Sequence, residues 1–370
     1  MKIKVMTIFG TRPETIKMGP LVKELQSREQ IEATVCVTAQ HRQMLDQVLE
    51  AFHIVPDYDL NIMKQGQTLA DITTRVLCGV QEVIQAVKPD IVLVHGDTTT
   101  TFASALAAFY QQVAIGHVEA GLRTYNKYSP YPEEMNRQMV GNLADMHFAP
   151  TQESRENLLR EGKRESDIFV TGNTAIDALK TTVCSGHQSE LLDWAKGSRL
   201  IVLTAHRREN LGEPMVRMFH AIRRILEKYP DIKVVYPVHL NPVIVKTAED
   251  VFGGNDRVRL TKPMDVIAFH NLLNASHLIL TDSGGIQEEA PSLGKPVIVL
   301  RDTTERPEGI AAGTLRLAGT EEETIFSIID ELLSNPEEYH RMSHACNPYG
   351  DGFASRRIVD AILDRFSAHI

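Results

Sequence analysis

The sequence predicts an α/β protein made of two Rossmann-like, doubly wound halves in tandem. Short apolar runs typical of buried strands alternate with helical stretches along the chain. This alternation indicates a mostly parallel sheet with helices on both faces. The chain also has 370 residues, more than one hydrophobic core usually serves, so two domains of ~150–200 residues are expected.

The first half begins with an apolar strand over 3–9 and a helix over 13–25. The alternation then continues with strands over 33–39, 91–95, 113–119 and 147–149 and helices over 43–52 and 101–110. The strand signals lapse over 171–198, where the segment turns polar. We therefore place the domain junction there, with an N-terminal domain over 1–172 and a C-terminal domain over 173–353.

The second half restarts the same alternation. Strands are predicted over 200–204, 233–238, 278–281 and 297–300, and helices over 214–228 and 286–293. An amphipathic helix over 354–366, within the final segment 354–370, follows a loop rich in Pro and Gly. In open α/β sheets ligands bind beyond the carboxyl ends of the strands, so the residues just after each strand are the candidates for function.

Composition excludes several classes of function. The net charge of −9 argues against nucleic acid or an anionic membrane as the main partner. The cysteines are scattered without a CxxC pair, which fits a reducing compartment. The first residues are too interrupted for a signal peptide, and no apolar run reaches the ~20 residues of a membrane helix. We expect a cytoplasmic protein.

Two basic residues follow the first strand. Arg12 and Lys17 lie near the start of the helix that Pro13 opens, where the helix dipole favours anions. The alternative is a solvated helix cap with ordinary surface cations.

Acidic residues follow three elements of the first half. Asp97 comes after His95-Gly96, Glu119 ends the strand over 113–119, and Glu133 opens a helix with Glu134, four residues before Arg137. Each acid has a structural alternative, namely a helix cap, a structural ion pair or complementation of a helix dipole. Three acids at the ends of successive elements that face one crevice indicate a catalytic set.

Two segments of the second half resemble an anion site. His206 follows a strand among arginines, and Ser283-Gly284-Gly285 lies between a strand and the helix that carries Glu289. Glycines let backbone N–H groups approach a phosphate, and Glu289 could accept hydrogen bonds from ribose hydroxyls. A tight turn with a capping serine is the alternative. No GxGxxG or HExxH motif occurs, so we expect neither NAD nor a metal.

Together these segments closely resemble the non-hydrolysing bacterial UDP-N-acetylglucosamine 2-epimerases, nearly end to end. The matching segments include GTRPE (10–14), TAQHR (38–42), VHGDTT (94–99), GHVEAGLR (116–123), PEE (132–134), HRRE (206–209), TDSGGIQEE (281–289), RDTTERP (301–307) and NPYGDG (347–352). The resemblance implies a GT-B-like fold with the active site in the interdomain cleft, and a C-terminal helix that crosses back to the first domain.

The resemblance also implies a homodimer that interconverts UDP-GlcNAc and UDP-ManNAc and supplies ManNAc for cell-wall or surface polysaccharide. It further implies activation by UDP-GlcNAc at a second site. The counterparts of that site are Gln40, His41, Arg42, Gln43 and His239. Gly66 stands where some relatives carry a basic residue.

The implied mechanism removes UDP from C1 and the proton from C2, giving 2-acetamidoglucal, and then adds UDP back after protonation on the other face. By resemblance, Asp97, Glu119 and Glu133 are the acid–base set, supported by Lys17, Arg137 and His206. The residues implied for UDP binding are Arg12, His206, Ser283, Gly284, Gly285 and Glu289. The alternatives are a retaining glycosyltransferase of the same fold, a hydrolysing epimerase and a non-catalytic nucleotide-sugar sensor.

Overall fold

The computed structural model describes residues 2–39, 42–64 and 66–367. The chain folds into two compact units. The first comprises the residues through Thr181 and those from Tyr349 onward, and the second is Thr182–Pro348. No helix of the described ranges combines the length and apolar character needed to cross a membrane.

A parallel sheet forms the centre of the first unit, and in the described residues it has seven strands. The strands are β1 (Ile3–Phe9), β2 (Ile31–Val37), β3 (Tyr58–Asp59), β4 (Ile91–His95), β5 (Ala114–Val118), β6 (Met146–Ala149) and β7 (Ile168–Val170). Their order across the sheet is β3-β2-β1-β4-β5-β6-β7. Residues 91–94 of β4 are fully buried, as expected for a strand covered on both faces.

Helices follow these strands in the Rossmann manner. They are α1 (Arg12–Ser27), α2 (Arg42–Ala51), α3 (Leu69–Val87), α4 (Thr99–Tyr110), α5 (Glu133–Leu143), α6 (Gln152–Arg160) and α7 (Thr174–Thr182). Apolar side chains of α3 and α4 pack with those of β1, β4 and β5 in one buried cluster.

The second unit repeats this architecture with a six-stranded parallel sheet in the order β10-β9-β8-β11-β12-β13. The strands are β8 (Arg199–Thr204), β9 (Ile232–Pro237), β10 (Val258–Thr261), β11 (Leu278–Thr281), β12 (Val297–Val299) and β13 (Leu315–Leu317). The helices are α8 (Glu190–Ala195), α9 (Glu213–Lys228), α10 (Pro242–Phe252), α11 (Val266–Ala275), α12 (Gly284–Glu289), α13 (Pro307–Ala311), α14 (Glu322–Ser334) and α15 (Pro336–Ser343).

The last helix, α16 (Ala354–Ser367), belongs to the first unit. Asp177 of α7 accepts the backbone N–H groups of Ala354 and Ser355 at 3.1 and 2.8 Å. Farther along α16, Asp360 pairs with Arg28 at 2.8 Å. Because α7 holds the start of α16, the division between the units falls after Thr181, and not after 172 as the sequence analysis placed it.

Each sheet has one point where its strand order reverses. β1 pairs with β2 on one side and β4 on the other, and β8 pairs in the same way with β9 and β11. The loops after the two strands at such a point diverge to opposite faces of the sheet and leave a crevice at the carboxyl edge. The loops after β1 and β4, and those after β8 and β11, are therefore where a ligand is expected.

Candidate active site

A buried carboxylate joins the two loops at the reversal point of the first sheet. Thr11 caps α1, and Glu14 completes a capping box. The Oε2 atom of Glu14 accepts the N–H groups of Gly10 and Thr11, and its Oε1 accepts the hydroxyls of Thr98 and Thr101 at 2.6 and 3.1 Å. Glu14 therefore fixes the loop after β1 to the loop after β4, and sequence reasoning missed this role although the Thr-x-x-Glu pattern signals the cap.

Helix α1 also carries Arg12 and Lys17, the two basic residues predicted to lie near an anion. Arg12 is the first residue of α1. Thr38, the residue directly after β2, packs so closely against the residue before this helix that a Cβ at Gly10 would lie 1.9 Å from the Thr38 hydroxyl. Glycine is therefore required before the helix, and it brings the start of α1 against the carboxyl edge of the sheet.

Glu119 follows β5 in a backbone conformation that glutamate rarely adopts, with φ of 63°. Lys17 of α1 forms an ion pair with its Oε2, and the Asn173 amide donates to the same oxygen at 2.9 Å. Nε2 of His95 lies 3.8 Å from this atom. The strand predicted over 113–119 thus ends one residue earlier, and Glu119 turns out of it toward the loops after β1 and β4.

Asp97 lies in the loop after β4 and pairs with Arg137 of α5. The Asn136 amide donates to the Asp97 carbonyl oxygen at 2.9 Å. Asp97 does not cap α4, because the hydroxyl of Thr98 performs that function by accepting from the Thr101 N–H at 3.1 Å. The geometry thus disfavours the structural alternative of a helix cap for Asp97.

The adjacent acids Glu133 and Glu134 have different environments. Glu134 is fully buried and accepts the N–H groups of Thr124 and Tyr125 at 2.9 and 3.0 Å, so it holds the preceding loop. Glu133 is half-buried as the first residue of α5. Within the described ranges no hydrogen bond or ion pair engages its carboxylate. Of the two acids, only Glu133 is placed to act on a ligand.

Three histidines are buried on neighbouring strands of this sheet. Burial lowers the pKa of His95 to about 4, and the Glu119 carboxylate only partly offsets this effect. Burial also lowers the pKa of His117 to about 3 and that of His147 to about 4. Nε2 of His117 lies 2.8 Å from the Gly96 carbonyl oxygen, so it is the protonated nitrogen. All three rings are neutral at pH 7.

The second sheet also has a buried carboxylate at its reversal point. Asp282 follows β11 and is fully buried. Its Oδ2 accepts the N–H groups of His206 and Arg207, both at 2.8 Å, and the Asn210 amide at 3.0 Å. Asp282 therefore fixes the loop after β8 to the loop after β11. Sequence reasoning did not single it out, since its partners lie more than 70 residues away.

His206 extends from this loop. Nδ1 of its ring faces Oδ1 of Asp282 at 3.4 Å, and its side chain is 42% exposed. Partial burial lowers the pKa of His206, and this effect outweighs that of the Asp282 carboxylate, which raises the pKa. The exposed His239 ring stacks on it with centroids 5.9 Å apart. Since Nδ1 faces Asp282, Nε2 is the nitrogen available to a ligand.

The Ser283-Gly284-Gly285 segment begins α12. Ser283 is at the N-cap position, but its hydroxyl makes no capping hydrogen bond. A Cβ at Gly284 would lie 2.9 Å from Oε1 of Glu305, the end of a flexible side chain in the 301–307 loop, so glycine lets this carboxylate approach the start of α12 closely. The sequence alternative of a capping serine is therefore not what the structure has, and the hydroxyl is available as a donor.

Glu289 and Glu288 have separate roles in the same helix. Glu288 is buried and paired with Arg306. The Glu289 carboxylate lies 3.5 Å from Nε2 of His270, whose Nδ1 is 2.7 Å from the Thr182 hydroxyl. Glu289 is thus held at the end of α12 with its carboxylate partly exposed, as a ribose acceptor requires. His270 is another residue that sequence reasoning missed.

The predicted residues therefore form one group in each unit. The first unit brings Lys17 to Glu119 and Arg137 to Asp97, with Arg12 and Glu133 at the same edge of the sheet. The second unit brings together His206, Ser283, Gly284 and Gly285, with Glu289 on the same helix. Gln40 and His41 lie outside the described residues, as do the side chains of Arg42 and Gln43. Across the described ranges, no group of three His, Cys, Asp or Glu side chains is placed to hold a metal ion.

Comparison with known proteins identifies the family. The family model for UDP-N-acetylglucosamine 2-epimerase matches residues 23–363. The UDP-N-acetylglucosamine 2-epimerase of Bacillus subtilis (strain 168) is 66% identical over 362 residues, which covers 98% of this chain and 95% of that protein.

Two solved structures are similar over the whole chain. The putative UDP-N-acetylglucosamine 2-epimerase of Listeria monocytogenes is 60% identical with a TM-score of 0.96, covering 100% of this chain and 98% of that one. The Neisseria meningitidis UDP-GlcNAc 2-epimerase, bound to UDP-GlcNAc, is 50% identical with a TM-score of 0.89, covering 98% of this chain and 100% of that one. The predicted GT-B-like α/β fold class is confirmed. The chain belongs to the UDP-N-acetylglucosamine 2-epimerase family.

Proposed function

We propose that the protein is a non-hydrolysing UDP-N-acetylglucosamine 2-epimerase, an isomerase that interconverts UDP-GlcNAc and UDP-ManNAc. The observation that carries the proposal is the pair of carboxylates after β4 and β5, Asp97 and Glu119, each held by a cationic side chain. The Neisseria meningitidis relative, solved with UDP-GlcNAc bound, supports the choice of substrate.

The chemistry follows from the sugar. The C2 proton has no adjacent carbonyl group, so its direct removal is prohibitive. In the proposed route the C1–O bond breaks and its electron pair leaves with UDP. A base takes the C2 proton, and a C1–C2 double bond forms in 2-acetamidoglucal. The reverse step protonates C2 on the opposite face and returns the β-phosphate oxygen to C1, so atoms and charge balance without a redox cofactor.

The carboxylates of the first unit differ in their suitability for these roles. Asp97 and Glu119 each face a cation that can balance a carboxylate charge, so they suit the roles of base and oxocarbenium stabiliser. Glu133, which has no cationic partner in the described part of the chain, completes the acid–base set. Lys17 and Arg137 balance the charges of the two paired acids.

The second unit holds the nucleotide in this proposal. Ser283, Gly284, Gly285 and His206 bind the diphosphate together with Arg12 of the first unit, and Glu289 binds the ribose hydroxyls. The uncapped Ser283 hydroxyl and the outward Nε2 of His206 support this assignment.

Further properties follow from the family resemblance and belong to the same proposal. We propose a cytoplasmic homodimer, without NAD or metal, that supplies ManNAc for cell-wall or surface polysaccharide. UDP-GlcNAc also activates it at a second site formed by Gln40, His41, Arg42, Gln43 and His239. The stacking of His239 on His206 brings His239 beside the residues proposed to bind the diphosphate.

The experiment is incubation of the purified protein with UDP-GlcNAc alone in D₂O, followed by proton NMR. We expect UDP-ManNAc with deuterium at C2. An absence of conversion until an acceptor is added would instead indicate a glycosyltransferase. Accumulation of ManNAc with UDP would indicate a hydrolysing epimerase, and binding without C2 exchange would indicate a sensor.

A further inference from the structure

Asn173 lies directly before α7 with its side chain buried against Glu119. It is 2% exposed. Its Oδ1 accepts the N–H of Ala175 at 2.9 Å, which caps the helix. Because this contact engages the amide oxygen, the NH₂ group is the part of the side chain that faces Glu119. Its Nδ2 donates to Oε2 of Glu119 at 2.9 Å.

The backbone of Asn173 is also fixed. Its N–H donates to the carbonyl oxygen of Tyr349 at 2.7 Å, where the chain re-enters the first unit. The neighbouring backbones approach so closely that a Cβ at Gly172 would lie 3.3 Å from the Cα of Gly350. The amide is thus a donor with a set direction, since both its backbone and its oxygen are engaged.

Glu119 needs such a donor. It leaves β5 with a positive φ, and its carboxylate is faced by Lys17 of α1 and by the neutral His95 ring at the end of β4. The lysine side chain has four rotatable bonds, so its charge attracts the carboxylate without fixing its direction. The planar amide of Asn173 fixes the direction.

We infer that Asn173 is a positioning residue for Glu119. Its amide orients the carboxylate and, by donating to the ionised form, favours that form. Glu119 acts on the sugar and Asn173 acts through Glu119. The inference rests on the proposed catalytic role of Glu119.

The decisive variant is Asn173→Asp. Aspartate caps a helix as well as asparagine and has the same shape, but it replaces the donor with a second carboxylate facing Glu119. We expect kcat to fall about ten- to a hundredfold with KM little changed, and the acidic limb of the pH–kcat profile to move to higher pH. The Tm should fall only modestly, because the cap is kept although two carboxylates then face each other at a buried site, and the pH profile is the readout that a purely structural role would not move.

Two further variants separate positioning from structure. Asn173→Ser also keeps a capping oxygen but is too short to reach Glu119, so kcat should fall and the acidic limb should move to higher pH by less than in Asn173→Asp, because the donor is lost but no second carboxylate is added. Asn335→Asp is the matched control, because Asn335 caps α15 by accepting from the N–H groups of Glu337 and Glu338. It should leave kcat and its pH profile unchanged.

The outcomes are distinguishable from failure of the proposed function. If the wild type does not exchange the C2 hydrogen of UDP-GlcNAc, the proposed function fails. If the wild type is active and Asn173→Asp retains its kcat and pH profile, the positioning role is wrong. If both Asn173 variants lower Tm and kcat together with no change in the pH profile, Asn173 is structural and the inference is overturned.

Discussion

At the scale of single residues, the buried and half-buried carboxylates divide by the kind of partner that holds them. Glu14, Glu134 and Asp282 accept backbone N–H groups and fix loops. Asp97 and Glu119 are held by the side chains of a cation or an amide. Because backbone N–H groups, in addition to side chains, hold the first group, those carboxylates are tied to the structure of the loops. The second group is therefore the one that suits catalysis.

The catalytic acids give the first prediction. Asp97→Asn, Glu119→Gln and Glu133→Gln should each lower kcat about 10²–10⁴-fold, because each removes a group that moves a proton or stabilises developing charge. The affinity for UDP, measured by calorimetry, should stay within a few-fold of the wild type.

Glu29→Gln is the control for these variants, since Glu29 is exposed on the surface of the first unit. Near-normal turnover in all three acid variants would remove the acid–base assignment.

The phosphate contacts give the second prediction. Ser283→Ala and His206→Ala should each weaken UDP binding about tenfold or more, because a hydrogen bond to a charged group contributes ~1.5–3 kcal/mol. Calorimetric titration with UDP measures this effect. Ser334→Ala is the matched control, because the Ser334 hydroxyl donates to a helix carbonyl oxygen. Unchanged affinity in both test variants would place the phosphate site elsewhere.

At the scale of elements, one carboxylate joins the paired loops in each sheet. Glu14 joins the loops after β1 and β4, and Asp282 those after β8 and β11. The two loops of each pair follow neighbouring strands at the point where the strand order reverses. Hydrogen bonds to these carboxylates therefore hold the candidate ligand-binding loops at the carboxyl edge of each sheet, and each sheet supports its own pair of loops.

The buried histidines of β4, β5 and β6 predict a pH dependence of stability. Burial lowers the pKa values of His95, His117 and His147 to about 4, 3 and 4, below the ordinary value of 6.5. Below pH 6.5 the unfolded chain therefore binds protons that the folded chain does not. The free energy of unfolding should fall between pH 6.5 and about 4, by as much as about 1.4 kcal/mol per pH unit for each histidine.

Urea denaturation between pH 5 and 7 measures this effect, with His147→Gln as the comparison. As the pH falls, the free energy of unfolding of the variant should decrease less steeply than that of the wild type. The difference in slope should correspond to about one proton fewer taken up on unfolding. Equal slopes for the two proteins would show that His147 is not held neutral in the folded state. Because other acids titrate equally in both proteins, the difference between them isolates this ring.

The sequence predicted many of the elements, although not β3, β7, β10 or β13, and it predicted fewer of the contacts that hold the loops together. The strand–helix alternation is local, so β1, β4, β8 and β11 were predicted close to their observed bounds. Asp282 was missed because its partners are distant in the chain. The positive φ of Glu119 has no local signal either, since the residue before Ala120-Gly121 looks like the last residue of a strand.

At the scale of the whole molecule, the chain is a tandem of two Rossmann-like units whose last helix belongs to the first. The sequence predicted the boundary between the units at 172, whereas the structure has it after Thr181. Polar composition marks the region of a junction but does not show which helix packs on which unit. The Asp177 contacts that tie α7 to α16 are between residues about 180 positions apart and leave no pattern in the sequence.

Hydrogen exchange tests the proposal that the second unit binds the nucleotide and the first unit contacts the sugar. UDP alone should protect peptides covering residues 204–210 and 281–289, because its assigned contacts other than Arg12 lie in the second unit. UDP-GlcNAc should in addition protect peptides covering 95–98, 119–124 and 132–137. Protection of the first-unit peptides to the same extent by UDP alone would contradict the assignment of the sugar to those residues.

The most direct test of the central claim uses UDP-GlcNAc labelled with ¹⁸O at the oxygen that bridges C1 and the β-phosphorus. If UDP departs and returns, the β-phosphate rotates while it is separate from the sugar. Recovered substrate should then carry the label in non-bridging positions, as measured by phosphorus NMR, at a rate comparable to C2 exchange. Exchange of the C2 hydrogen with the label still at the bridge would show that the C1–O bond does not break, and it would contradict the elimination mechanism.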